Sequence, residues 1–153
     1  MRKTSAGILL YKQGREGLQV FLVHPGGPFW KNKDAGAWSI PKGEFIEGED
    51  PLKAAIREFF EETGQQISGE FLELKPIKAR SGKLIFAWAL QGDIDPDKIV
   101  SNTFPLEWPP RSGKFIDVPE IDNGAWFSLD TALEKINASQ AAFITELASL
   151  LSV

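Results

Sequence analysis

The stretch "GEFIEGEDPLKAAIREFFEETG", residues 43–64, constrains this chain more than any other, because it carries the signals for both ends of a helix together with seven acids. Asp50 suits an N-cap and Pro51 the first helical position. Gly64 suits the left-handed residue that ends a helix. A helix over 51–63 is therefore predicted. At about 100° per residue, Leu52, Ile56, Phe59, Phe60 and Thr63 fall on one face, which is expected in the core. Glu58, Glu61 and Glu62 fall together on the opposite face. Like charges at these spacings each cost about 0.2–0.5 kcal/mol. Their place near the negative end of the helix dipole adds roughly 0.3–1 kcal/mol apiece. A solvated acidic face is the bland explanation of such a helix. The sharper one is a divalent cation, since clustered carboxylates are hard oxygen ligands for Mg²⁺ or Mn²⁺.

The spacing separates the two. Gly43, five residues, Glu49, seven residues and then Arg57-Glu58-Phe59-Phe60-Glu61-Glu62-Thr63-Gly64 resembles the Nudix box, G-x5-E-x7-R-E-U-x-E-E-x-G-U, where U is apolar. The box would span 43–65. Its departure is Gln65 at the last apolar position, a role that Ile67 is expected to fill.

Charge supports a local purpose for the acids. The whole chain has a net charge of −4, and the box stretch sets its seven acids against only Lys53 and Arg57, so the remainder is close to neutral. Nothing in that balance suggests binding to DNA or RNA duplexes by charge. The chain has no cysteine, which excludes disulfides, thiol nucleophiles and thiolate metal sites. His24 is the sole histidine, too few for a zinc cluster; strand end and pocket wall are its two readings. The apolar run after Arg2 and Lys3 is too short for a signal peptide, no stretch is long enough to span a membrane, and a cytoplasmic protein is expected.

At 153 residues, one domain over 1–153 is expected. "TSAGILLY" (4–11) and "LQVFLVH" (18–24) read as strands around a "GREG" turn. A Gly/Pro-rich loop follows. Residues 70–78 and 83–90 read as a hairpin pair around "SGK". Residues 93–118, with four prolines, read as a long and partly irregular excursion. "GAWFS" (124–128) reads as a strand, and two helical pieces close the chain, marked by Leu129, Leu133 and Ile136 and by Phe143, Leu147, Leu150 and Leu151. Interleaved strands and helices indicate an α/β domain with a mixed sheet. The Nudix resemblance implies the same, an α/β/α sandwich.

It also implies a chemistry, hydrolysis of a nucleoside diphosphate linked to another group. Carried over by position, Glu58, Glu61 and Glu62 are metal-binding carboxylates, and the Gly43 carbonyl is a further ligand. Arg57 orients the glutamates, and Glu49 pairs with Arg57 or a helix amine. Glu58 is the first choice of general base. The family often adds an acid from a late loop. Here Glu120, six residues before Trp126, is the choice over Asp117 and Asp122, as metal ligand or base. Lys42, just before the box, is placed to touch phosphate. "VHPGGPFW" and "EWPPRSGK" offer Trp30 and Trp108 for stacking a base, and Arg111 and Lys114 for distal phosphates. The bland readings are a core Trp38 and Pro-rich loop packing.

These stretches resemble a small bacterial-type subgroup of Nudix NTP pyrophosphohydrolases. Subfamily markers for dinucleoside polyphosphates, ADP-ribose and NADH are missing downstream of the box, although "PKG" (41–43) resembles the first. A nucleoside polyphosphate, either a nucleoside triphosphate or a dinucleoside polyphosphate, is the expected substrate. An ADP-ribose or nucleotide-sugar pyrophosphatase and a non-catalytic nucleotide-binding module are the alternatives. Whether the chain works as a monomer or a homodimer is left open.

Overall fold

The computed structural model describes residues 4–152; Arg2 and Lys3 of the leader reading lie outside the described residues. In chain order the elements are β1 (Thr4–Gly14), β2 (Gly17–Pro25), β3 (Lys42–Phe45), α1 (Pro51–Thr63), β4 (Phe71–Glu73), β5 (Ile77–Lys78), β6 (Leu84–Gln91), β7 (Thr103–Glu107), β8 (Phe115–Pro119), β9 (Ile121–Ser128), α2 (Leu129–Lys135) and α3 (Ala141–Leu150). The main sheet runs β4-β6-β1-β2-β9, with β3 also on β1 and β5 also on β6. The β1–β6 pair is parallel and the other ladders are antiparallel. The apolar runs of β1 and β2 are continuous rather than alternating, which suits strands covered on both faces. One face carries Ala6, Ile8, Leu10, Phe21 and Val23 against Ala54, Ala55 and Phe59 of α1. The other carries Leu9, Val20 and Leu22 against Ala132 of α2 and Phe143 and Leu147 of α3. This is the expected α/β/α sandwich with a mixed sheet.

One edge of β1 is shared, and that opens the site. Residues Tyr11–Gly14 pair with β2, while Thr4–Gly7 pair with β3. Between them the two partners part, and the Ile8 N–H turns to the Pro41 carbonyl at 3.1 Å. The crevice left between β2 and β3 faces the C-terminal end of α1.

The helix has the predicted ends. The Asp50 carboxylate accepts from the Lys53 N–H, and Gly64, at φ 74°, closes the other end. Its orientation differs from the wheel. Phe60 is 48% exposed, whereas Glu58 and Glu62 are 8% and 9% exposed. The small side chains of Ala54 and Ala55, both at 0%, let the helix lie close on β1 and roll its two glutamates toward the sheet. Phe59 and Thr63 are buried and Leu52 packs against the core as expected, so counting only large apolar residues displaced the core face rather than misplacing it. Gln65, the departure from the box, is a clamp. Its amide donates to the Asp95 carbonyl at 3.0 Å and its oxygen accepts the Asp95 N–H at 3.2 Å. Ile67 packs against the α1-side core, as expected.

The excursion at 93–118 is more ordered than its prolines suggested. It holds a 3-10 turn at Pro96–Lys98 and the antiparallel hairpin β7–β8. The predicted strand at 70–78 is broken into β4 and β5, each pairing with β6.

Candidate active site

Five acids and one arginine meet where α1 faces the crevice. Arg57 holds three of the acids. Its guanidinium donates to Glu49 through Nε and Nη2, at 3.1 Å for the closest contact, to Glu58 at 3.0 Å and to Glu61 at 3.3 Å. Burial opposes the arginine's charge, but the Glu49, Glu58 and Glu61 carboxylates outweigh it and raise the Arg57 pKa. Of the two partners expected for Glu49, Arg57 or a helix amine, it takes Arg57.

Glu58 lies directly over Gly43. A Cβ at Gly43 would stand 2.1 Å from a Glu58 carboxylate oxygen, so any side chain here would push that carboxylate aside. Glu62 reaches the same strand and accepts the Lys42 backbone N–H at 3.1 Å. Its side chain lines a cavity of about 140 Å³ together with Val23, Ile40, Lys42, Glu120 and Ile121. Glu120 is therefore the late acid that faces the box. It sits between β8 and β9, its N–H bonded to the Asn102 carbonyl and its carbonyl to the Gly26 N–H. Of the two rivals, Asp117 lies along β8 and Asp122 turns to His24, 2.8 Å away.

The charges here are uncomfortable. Burial pushes the Glu62 pKa up to about 8, Glu120 and Glu58 adding to it and Lys42 opposing. Glu58 is raised by burial and by Glu61, against the pull of Arg57. Glu120 is raised by burial and by Glu61. The Lys42 ammonium is lowered by burial and by Lys83, despite Glu62, Glu44 and Glu58. Among the described residues, no three acidic or histidine side chains are arranged to hold a metal ion as they stand; Arg57 engages Glu58 and Glu61, and the Lys42 amide engages Glu62. The donor set still fits a hard divalent cation: carboxylate oxygens only, close enough to raise one another, beside a glycine that leaves the backbone bare.

A family model for the NUDIX domain matches residues 1–147. The chain belongs to the Nudix hydrolase family. It is 30% identical over 101 residues to an octanoyltransferase of Myxococcus xanthus, 66% of this chain and 25% of that protein. It is 63% identical over 27 residues to an RNA pyrophosphohydrolase of Rhizobium meliloti, 18% of this chain and 16% of that protein. The chain thus spans a quarter or less of the curated relatives it matches. The structure of a Caenorhabditis elegans Ap4A hydrolase binary complex superposes with a TM-score of 0.68 at 19% identity, covering 97% of this chain and 98% of that one, a likeness of fold.

Other residues singled out from the sequence lie outside the cavity of this Nudix domain. Trp108, Arg111 and Lys114 form the tip of the β7–β8 hairpin, whose base at Thr103 and Pro119 adjoins Glu120. At about 3.3 Å per residue the tip stands roughly 15 Å beyond that base. The tip's amides are already used, since the Glu107 carboxylate accepts the N–H groups of Arg111 and Gly113, each at 3.2 Å. Only the side chains of Arg111 and Lys114 are left for a phosphate. Trp30 stands edge-on to Phe29 with centroids 5.0 Å apart, and the Lys33 ammonium lies over both rings. Trp38 is core, 6% exposed. Among the described residues no helix is long and apolar enough to cross a membrane.

Lys83 was missed. It reads from the sequence as the end of an ordinary turn, yet β6 and β3 flank the same residues of β1. That places its ammonium 3.0 Å from Glu44 and near enough to Lys42 to oppose its charge. Pairing across three strands leaves no mark in local spacing.

Proposed function

We propose that this Nudix hydrolase cleaves a pyrophosphate bond of a nucleoside polyphosphate, a nucleoside triphosphate or a dinucleoside polyphosphate, with Mg²⁺ or Mn²⁺. The observation that carries this is the arrangement of Glu58, Glu61, Glu62 and Glu120 around the β2–β3 crevice with the Lys42 ammonium among them. A polyphosphate chain brings several negative charges, which Lys42 would meet directly and which the carboxylates would meet through a bound divalent cation. Glu58, Glu62 and Glu120, with Glu61 assisting and the Gly43 carbonyl beside them, would hold the metal. Bound there, a divalent cation neutralises phosphate oxygens and lowers the pKa of a water.

The chain's own residues do the rest. Arg57 fixes the directions of Glu58 and Glu61, so that these carboxylates need not reorganise when substrate arrives. Lys42, aided by Lys83, holds non-bridging phosphate oxygens and turns the phosphorus toward the carboxylates. Glu58, its basicity raised by burial, takes the water's proton at a carboxylate oxygen as attack on phosphorus proceeds in line. No covalent enzyme intermediate is required, which agrees with a chain that has no cysteine. Arg111 and Lys114 at the hairpin tip meet the far end of a longer substrate, and Trp30 and Trp108 offer faces to a base.

The test is a panel of nucleoside triphosphates, dinucleoside polyphosphates, ADP-ribose and nucleotide sugars with Mg²⁺ and product analysis. Turnover of the polyphosphates ahead of the diphosphate conjugates is expected. Preference for ADP-ribose or a nucleotide sugar would move the assignment to that branch. Binding without turnover would make this a nucleotide-binding module.

A further inference from the structure

His24, the sole histidine of the chain, has no part in the chemistry above, yet it is only 7% exposed. It lies edge-on to Trp38, ring centroids 5.2 Å apart. Both ring nitrogens are engaged. Nδ1 is 2.8 Å from the Asp122 carboxylate and Nε2 is 2.6 Å from the Lys33 carbonyl. The two partners lie on opposite sides of the imidazole, so one ring bridges the Asp122 carboxylate and the Lys33 carbonyl. One side chain of β2 thereby ties the start of β9 to the loop that follows β2.

What it ties lies next to the carboxylates. His24 pairs with Asn123 but Pro25 pairs with Ile121, so Asp122 is the extra residue of a β-bulge. Such bulges re-aim the side chains around them, and this one is two residues past Glu120. The loop is joined to the same turn at its other end. The Gly26 N–H donates to the Glu120 carbonyl at 2.9 Å. Gly26 also lies so tightly on Pro119 that a Cβ there would be 2.1 Å from the Pro119 oxygen. Residues 26–33 therefore form a strap fastened twice to the 119–122 turn, through backbone at Gly26 and through His24 at Lys33. The strap carries Phe29 and Trp30.

We propose that His24 and Asp122 are a positioning pair: their hydrogen bonds hold the β9 bulge and the 26–33 strap in the one arrangement that turns Glu120 toward Glu62 and fixes the loop bearing Trp30. The pair acts through Glu120 and the strap and does not touch substrate. For its kinetic consequence the proposal rests on the hydrolase function above. A histidine that merely fills the core would alter stability and leave the turnover of folded protein unchanged.

The experiment compares His24→Phe, His24→Gln, Asp122→Leu and Asp122→Asn with the wild-type chain. Phenylalanine removes both ring nitrogens. The glutamine amide keeps hydrogen-bonding groups at the end of the side chain, where phenylalanine has none. On the best substrate of the panel, with the folded fraction measured by thermal melting, His24→Phe and Asp122→Leu are expected to lower kcat by about 10²-fold, the scale of an ångström of misplacement, and to raise KM. His24→Gln and Asp122→Asn are expected to recover most of it. In ¹H–¹⁵N spectra the amides of Gly26 and Glu120 and the Trp30 indole should move in the first two variants and return in the second two. Folded His24→Phe with wild-type kcat and KM, or glutamine no better than phenylalanine, would overturn the proposal. Should His24→Phe not fold, Asp122→Leu against Asp122→Asn gives the same contrast. If the wild-type chain turns over nothing on the panel, the assigned function fails by itself and the amide signals decide: movement and recovery uphold the pair, and unmoved signals overturn it.

Discussion

At the scale of single residues, Glu62 carries the largest electrostatic penalty of the site. Its pKa in the folded chain is about 8 against 4.5 for the free group. A raised carboxyl pKa contributes stability that is fully present below 4.5 and is lost as pH rises toward 8. The metal-free protein should therefore melt at steadily lower temperature across that window. Glu62→Gln should flatten this dependence, and excess Mg²⁺ should reverse it. The same substitution should lower kcat by about 10²-fold or more, since it removes a charged ligand of the proposed cation. Calorimetric melts from pH 5 to 9, with and without Mg²⁺, check the first part, and steady-state kinetics the second. Gly43→Ala makes a different demand. Its Cβ would fall on the Glu58 carboxylate, which can swing aside, so we expect little change in denaturant titration and a clear fall in kcat as Glu58 is displaced. Glu58, Glu61, Glu62 and Arg57 were legible in the sequence because one helix fixes their spacing. Lys83 and the His24–Asp122 pair were not, because strand pairing and a bulge bring them in from distant parts of the chain.

Elements extend the same contrast. The ends of α1 were readable because capping is local chemistry: a carboxylate at Asp50, a ring at Pro51 and a bare Cα at Gly64. Its roll was not, since that depends on how closely Ala54 and Ala55 approach β1. The β7–β8 hairpin was hidden by its prolines, which mark breaks but say nothing of a ribbon pairing with itself outside the main sheet. Its tip predicts a split in kinetics. Arg111→Ala should raise KM several-fold for a dinucleoside polyphosphate and little for a nucleoside triphosphate, as expected for a charge-assisted contact to distal phosphates. Equal effects on both substrates would return the loop to a packing role. Gln65, whose polarity departs from the box, predicts the reverse pattern. Gln65→Ala removes two hydrogen bonds to Asp95 and should cost about 1–3 kcal/mol of stability with kcat and KM unchanged, checked by denaturant titration beside the assay.

On the scale of the whole molecule, the shared edge of β1 makes the site. Because β2 and β3 pair with different halves of one strand, the sheet opens where the C-terminal end of α1 arrives, and carboxylates from the helix meet an acid from the β8–β9 turn. The α/β plan with a mixed sheet followed from interleaved strand and helix signals, and the α/β/α layering from the Nudix resemblance. The opening did not, since it is a property of which strand pairs with which. The most direct measurement is hydrolysis of a nucleoside polyphosphate in ¹⁸O-labelled water, followed by mass spectrometry of the products. One ¹⁸O atom in a phosphate-containing product is expected with Mg²⁺ present, lost on chelation and lost in Glu62→Gln. Cleavage that persists through chelation and in Glu62→Gln, or no cleavage by the wild-type chain with Mg²⁺ or Mn²⁺, would contradict water attack on phosphorus at these carboxylates.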